Sequence, residues 1–238
     1  NRVRLSRRSS TRAGDAAAQF RAAVADWAVA GPGAADAAAT ARRIAPAVHT
    51  VVLVEGESDR VAVEALAAAR ELDLDGVAVI PMGGATSVQK FVEFLGPRGL
   101  GIRLCGLCDA GEEQFFSRAI ERAGLGSLNR AAMESLGFFV CVVDLEDELI
   151  RALGVTEVER VVDAQGDSRA LATFKSQPAQ RERSAEQQLR RFAGTLSGRK
   201  SRYARAMVDA LDPDRAPDPL AKLLAHLDGG RGYRRGRT

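Results

Sequence analysis

Three hydrophobic runs in the middle of the chain finish in acid. Residues 51–54 lead into Glu55, with Asp59 one helical turn further; residues 102–108 lead into Asp109, with Glu112 beyond; residues 138–143 lead into Asp144, followed by Glu146 and Asp147. Carboxylates gathered in a partly dehydrated cleft oppose one another's ionisation, and a divalent cation removes that cost. Oxygen-only donors suit Mg²⁺ or Mn²⁺ better than zinc, and Mg²⁺ takes one or two carboxylates together with water and substrate phosphate. The chemistry is then metal-assisted reaction at a phosphate. The helix macrodipole alone accounts for acids at helix starts such as Asp59, Glu112 and Glu113. It does not account for Glu55, which stands ahead of the helix, directly before Gly56.

The elements that would position these acids form an α/β pattern. Short, continuously apolar runs at 51–54, 77–80, 102–108 and 138–143 alternate with helical periodicity, the signature of a mostly parallel sheet covered on both faces. The first helix is expected to begin at Ser58 as N-cap, carrying Val61, Ala65, Leu66, Ala69 and Leu72. Pro81-Met82-Gly83-Gly84 ends the second run, after which Thr86 or Ser87 is expected to cap a helix with Val88, Phe91, Val92 and Leu95. Helices to about 123 and about 152 follow the third and fourth runs. All strand ends of a parallel sheet share one edge, where open α/β sheets place ligands, so acids remote in sequence converge there.

Around this unit the chain is helical. Residues 1–12 are Arg/Ser-rich and aperiodic and are expected to form a disordered basic arm. Within 13–49, two Ala-rich helices at 16–30 and 35–47 are broken by Gly31-Pro32-Gly33. The α/β domain spans 50–153. A helical C-terminal extension covers 154–228, with helices near 156–165, 184–195, 199–211 and 219–227, and a basic disordered tail occupies 229–238.

With 238 residues, 46% apolar and 27% charged, the chain has ordinary globular usage, which argues against a disordered or fibrous protein. The net charge of +3 hides an uneven distribution: residues 13–150 hold 11 bases and 20 acids, whereas 175–205 hold nine bases and two acids. An acidic body beside a basic segment suits a metal site next to a phosphate-binding surface. The basic run contains Arg190, Arg191, Arg199, Lys200 and Arg202, candidates to hold a nucleic-acid backbone, with few aromatics for base stacking. No stretch approaches a membrane helix and no signal segment opens the sequence, so a cytoplasmic protein is expected. Cys105 and Cys108 form a C-x-x-C without a second pair, and the chain has two histidines; buried hydrophobes on a strand are expected, not zinc or a redox pair. Gly83 and Gly84 suggest either a close backbone approach, to a phosphate or to a neighbouring element, or a plain turn.

Val51-Val52-Leu53-Val54-Glu55-Gly56-Glu57-Ser58-Asp59 resembles the first motif of the Toprim domain, the metal-binding α/β module of topoisomerases, bacterial primases and the overcoming-lysogenisation-defect (OLD) nucleases. The segment from Met82 to Ser87, the strand ending at Asp109, and Asp144-Leu145-Glu146-Asp147-Glu148-Leu149 are similar to the OLD version, and the resemblance covers about 50–153. The tail with Gly198-Arg199-Lys200-Ser201-Arg202-Tyr203-Ala204 also looks like the tail of those proteins. The resemblance implies a small Toprim-like sheet. It makes Glu55 a metal ligand or general acid/base, Asp59 a ligand or supporting carboxylate, Asp109 the first aspartate of D-x-D, Glu146 the late acidic ligand, and Lys200 the lysine that meets the phosphate. The second position of D-x-D is Gly111 here, with Glu112 next to it as the substitute.

The resemblance thus implies a Mg²⁺- or Mn²⁺-dependent nuclease, or a nucleotidyl transferase or hydrolase, acting on nucleic-acid phosphodiesters, DNA foremost. The alternative is a catalytically impaired regulatory module that binds metal and DNA. A receiver-like domain phosphorylated on Asp109 would want a hydroxyl residue and a lysine at the following strand ends, which Val143-Asp144 does not provide. Neither Tyr203 nor Tyr233 adjoins a carboxylate motif, which disfavours a covalent tyrosine mechanism. OLD nucleases carry an ATPase domain ahead of the Toprim part; no G-x-x-x-x-G-K-[ST] occurs here, so a free-standing module or a fragment, with a separate ATPase as partner, is expected.

Overall fold

The computed structural model describes residues 2–126, 129–194 and 199–232, with side chains described within 14–126, 129–194 and 199–229. Asn1, the end of the basic tail from Tyr233, and 195–198 ahead of Lys200 lie outside the described residues.

Two helices, α1 (Arg2–Ala28) and α2 (Ala34–Ile44), precede the sheet. The central unit then runs β1 (Thr50–Val54), α3 (Glu57–Ala69), β2 (Val77–Pro81), α4 (Val88–Leu95), β3 (Arg103–Asp109), α5 (Glu113–Arg122), α6 (Arg130–Ser135), β4 (Phe138–Cys141) and α7 (Leu145–Leu153). Five more helices follow: α8 (Val155–Ala164), α9 (Ser168–Ser176), α10 (Ala185–Gly194), α11 (Arg199–Ala210) and α12 (Asp218–Gly232). Among the described residues, no helix is long and apolar enough to cross a membrane.

The four strands are all parallel, in the order β2-β1-β3-β4. Every residue of β1 is buried, as its mostly β-branched, largely apolar run requires when both faces of a sheet are covered. Alternate residues serve two cores. Val52 and Val54, with Val79, Cys105 and Leu107, pack under α3 and the helices α7–α12. Val51 and Leu53, with Ile80, Leu104 and Cys108, pack under α1, α2 and α4–α6. Cys105 and Cys108 therefore sit on opposite faces of β3 and cannot pair; burial pushes the Cys105 thiol up to about 12 and raises that of Cys108 as well.

β1 leads outward to β2, the chain then crosses back to β3, and β4 continues on the far side, so the order reverses between β1 and β3. Ligand crevices form outside the carboxyl ends of strands at such a reversal. Gly106 brings the two strands close: a Cβ there would meet the Leu53 carbonyl oxygen at 2.3 Å. With Leu53 in register with Gly106, Glu55 and Asp109 emerge at the same edge.

Several local expectations need correction. Ser58 is not a cap: α3 starts one residue earlier, Gly56 precedes it, and the Gly56 N–H donates to the Asp59 carboxylate at 2.8 Å. Ser87 occupies the N-cap position of α4, but its side chain makes no capping hydrogen bond; a 3-10 turn at Ala85–Ser87 leads into the helix. β4 ends at Cys141, short of Val143, because the Val142 N–H donates to the Glu148 carboxylate at 2.8 Å and leaves the ladder. α1 runs helically from Arg2, through the stretch read as an arm without structure; no proline interrupts it. α6 and α9 are helices without a counterpart in the sequence pattern.

Candidate metal centre

Glu55 is the first residue beyond β1, and its backbone is held from the neighbouring strand. The N–H groups of Gly83 and Gly84 donate to its carbonyl at 3.0 and 3.2 Å, directly after Met82 N–H bonds Val54 at 2.9 Å. Both glycines have positive φ, +72° and +118°, which lets two successive N–H groups turn onto one oxygen. The close approach marked by Gly83 and Gly84 is thus to Glu55 itself, and these donors are not directed at a phosphate.

Asp109 closes β3. The Ala110 N–H extends the ladder to Cys141 at 3.0 Å, and the Glu112 N–H returns to the Asp109 carbonyl at 2.9 Å. This turn swings Glu112 round, so that Glu55, Asp109 and Glu112 present carboxylate oxygens within 4.8 Å of one another. One Glu112 oxygen, Oε2, is buried without a hydrogen-bond partner. Gly111 points into open space and contributes no donor. Glu112, one residue beyond the position where D-x-D has its second aspartate, is the acid brought to Glu55 and Asp109.

Other acids nearby are neutralised locally. Glu57 pairs with Arg60, Glu113 with Arg130 at 2.5 Å, and Asp147 and Glu148 with Arg151 at 2.8 Å. Asp144 caps α7 through Asp147 N–H at 2.8 Å and binds Arg190 Nε at 2.6 Å. Among the described residues, no lysine or arginine lies within ion-pair distance of Glu55, Asp59, Asp109 or Glu112. Glu146, 5% exposed, faces Lys200 Nζ at 3.4 Å.

A cleft of about 300 Å³ joins these groups, lined by Glu55, Asp59, Asp109, Asp144, Glu146 and Lys200 among others. Crowding shows in the acidities. Burial, and after it Glu55, Asp59 and Asp144, push Asp109 up to about 8. Burial and Glu146 push Asp59 up to about 7 despite the Gly56 N–H, and burial with a contact to Glu55 lifts Glu112 to about 7. Burial works against the Lys200 ammonium, but Glu146, Asp144 and Asp59 outweigh it and raise its pKa above the ordinary lysine value. An all-oxygen set of crowded, partly buried carboxylates, one oxygen unpartnered, fits a hard divalent cation.

The cleft continues past Asp144, Glu146 and Lys200 into a second hollow of about 350 Å³ walled by Arg190 and Arg191. Arg199 and Arg202 do not join this wall: both pair with Asp167, and they lie over the rings of Phe192 and Tyr203. Tyr203 donates its hydroxyl to Asp167 at 2.7 Å and is buried, so it is unavailable as a nucleophile. The Asp144–Arg190 pair, and the identity of Glu55 as the partner of Gly83 and Gly84, are not readable from the sequence. Their signals are an aspartate immediately before a helix and a Gly-Gly at a strand end, both compatible with several structures.

Residues 48–110 match the family model of the overcoming lysogenization defect protein-like TOPRIM domain. No curated protein matches the chain. Among solved structures, the C-terminal region of the Xanthomonas campestris pv. campestris OLD protein is similar at a TM-score of 0.63 and 25% identity, covering 79% of this chain and 96% of that one. The C-terminal region of the Burkholderia pseudomallei OLD protein is similar at a TM-score of 0.58 and 22% identity, covering 77% and 98%. The likeness of fold extends beyond the matched segment into the surrounding helices, and residues 48–110 are similar to the TOPRIM domain of overcoming lysogenization defect protein-like members.

Proposed function

We propose that the chain is a Mg²⁺- or Mn²⁺-dependent nuclease of Toprim type, hydrolysing phosphodiesters of nucleic acid, DNA foremost, in a cytoplasmic setting. The observation that carries this reading is the convergence of Glu55, Asp109 and Glu112 oxygens within 4.8 Å at the β1–β3 reversal. When bound, the cation supplies Lewis-acid stabilisation of the charge that builds on the phosphate. Glu55, Asp109 and Glu112 would hold it, and the Gly83-Gly84 clamp fixes where Glu55 begins. Asp59, tied to the Gly56 N–H, supports the same cleft from the first turn of α3.

Lys200 stands where a phosphate entering from the arginine-walled hollow would meet the carboxylates. Its ammonium orients the phosphate and opposes its charge, while Arg190 and Arg191 carry the flanking backbone. Water adds at phosphorus and gives up a proton, the ester P–O bond breaks, and the leaving sugar oxygen ends with that proton, so that a phosphate monoester and an alcohol result. No covalent enzyme intermediate is required. The OLD resemblance further proposes an ATPase partner.

Gly111 favours a second reading, a regulatory module that binds metal and DNA without turnover. Incubation of the protein with plasmid and Mg²⁺ or Mn²⁺ separates the two. Cleavage that is lost in Glu55→Gln and Asp109→Asn supports the nuclease; DNA retention without cleavage in either metal supports the regulator.

A further inference from the structure

The start of α11 carries two kinds of side chain. Lys200 and Ser201 line the cleft beside Asp59 and Glu146, and Lys200 Nζ stands 3.4 Å from Glu146 Oε1. Arg199, Arg202 and Tyr203 instead meet one carboxylate, that of Asp167. Arg199 donates to Oδ1 at 3.2 Å, Arg202 donates to Oδ2, and the Tyr203 hydroxyl donates to Oδ2 at 2.7 Å. Positions 199, 202 and 203 share one face of a helix, and position 200 lies about 100° round the axis from 199.

Asp167 stands at the corner between α8 and α9. Its N–H donates to the Val162 carbonyl at 3.1 Å and its carbonyl accepts from the Leu171 N–H at 2.9 Å, and both of those residues are buried. It occupies the N-cap position of α9, where an aspartate ordinarily bonds the N–H groups of its own helix, yet its side chain makes no such bond. The carboxylate is given to α11, where charge-assisted bonds from two guanidinium groups hold it. The Arg199 guanidinium also lies 5.3 Å from the ring centre of Phe192 on α10, which closes the corner from a third helix. The buried residues of α11 begin only at Tyr203, followed by Ala204, Met207 and Val208, so the turn that carries Lys200 lies ahead of the apolar contact. Packing along α3 fixes the axis of α11, and Asp167 fixes its first turn.

We propose that Asp167 positions Lys200: by gripping Arg199, Arg202 and Tyr203, its carboxylate sets the turn of α11 that brings the lysine ammonium to Glu146 and into the path of the phosphate. The role deepens the reading of the cleft given above and rests on it. Arg199 and Arg202 then serve the site from behind it, without touching nucleic acid.

Lys90, Lys175, Lys200 and Lys222 are the lysines of the chain, so NMR of protein labelled at the lysine ε carbon gives few signals, and the one missing from Lys200→Arg belongs to Lys200. Glu146→Gln is expected to shift that signal in otherwise wild-type protein and to leave it in place in Asp167→Ala. Asp167→Asn keeps an acceptor for the Tyr203 hydroxyl but drops both ion pairs; it is expected to give the same result, and it stands if Asp167→Ala does not fold. In plasmid cleavage, Asp167→Ala should lower kcat about tenfold or more with KM unchanged, and should add no further loss in a Lys200→Ala background. An undiminished Glu146→Gln shift in the folded Asp167 variants, no such shift in wild type, or losses in kcat that multiply in the double variant would each overturn the role of Asp167 while leaving the metal-dependent function standing. Absence of cleavage in wild type would instead remove the nuclease reading, and the lysine signal would still decide the role of Asp167.

Discussion

The backbone N–H of Gly83 donates to the carbonyl of Glu55 at 3.0 Å, so the first acid of the carboxylate cluster is anchored by the end of the adjacent strand. Gly84 adds a second bond at 3.2 Å from a backbone at φ +118°, a region essentially reserved for glycine. A Cβ at Gly84 would meet nothing within 4 Å, so substitution there tests backbone conformation alone. Gly84→Ala should cost about 1–3 kcal/mol in chemical denaturation and weaken Mn²⁺ uptake. Unchanged stability together with unchanged uptake would show that the clamp does not position Glu55.

Metal binding should depend on pH in a direction set by the crowded acids. Asp109 is pushed up to about 8 and Asp59 and Glu112 to about 7, so the metal-free folded protein keeps protons that the unfolded chain sheds near pH 4. The contribution of these groups to stability is present below their unfolded values and is lost as pH rises through 7 to 8. Mn²⁺ affinity should accordingly rise from about pH 6 and level off above about pH 8, with proton release on binding. The melting temperature of the metal-free protein should gain more from Asp109→Asn at about pH 9 than at about pH 5. Titration calorimetry in buffers of different ionisation enthalpy checks the first, thermal melts the second; a flat affinity over this range would contradict the shared site.

In the proposed site Glu112 takes the place that the D-x-D pattern assigns to position 111. Glu112→Gln should weaken Mn²⁺ uptake about tenfold or more, in line with loss of a ligand worth at least 1.4 kcal/mol. Because Gly111 faces open space, Gly111→Asp is accommodated and should restore uptake in the Glu112→Gln background. Failure of that rescue, in a protein of unchanged melting temperature, would mean that the two positions are not equivalent.

Nucleic-acid affinity should separate the basic residues. Arg191 borders the hollow beside the acidic cleft, whereas Arg199 and Arg202 are engaged by Asp167. Arg191→Ala should reduce the slope of log K against log salt by about 0.9, the share of one phosphate on duplex DNA. Arg199→Ala should leave the slope unchanged and lower stability instead. Equal slopes for Arg191→Ala and wild type would remove Arg191 from the binding surface.

The sheet was legible because β1, β2 and β3 are buried on both faces, and a strand of that kind is written as an unbroken apolar run between turn residues. Glu55 and Asp109 stand out in the sequence for the same reason, as acids placed where such runs stop, whereas Glu112 lies beyond the end of β3, where a helix start alone would explain an acid. α6 and α9 were not: they are short and bury few residues, Met133 in one and Leu171 in the other, so no periodic stripe announces them. The end of β4 was hidden because it depends on Glu148 reaching back to the Val142 N–H. Tertiary pairing likewise decides where each arginine points. Nothing in the spacing of Arg190, Arg199 and Arg202 reveals that the first faces Asp144 and the other two Asp167.

The central claim is that Glu55, Asp109 and Glu112 together bind one divalent cation. Anomalous diffraction from crystals grown with Mn²⁺ tests it most directly. A single Mn²⁺ peak coordinated by carboxylate oxygens of all three residues is predicted; no peak in the cleft, or a peak coordinated by Glu146 and not by Glu55 and Asp109, would contradict it.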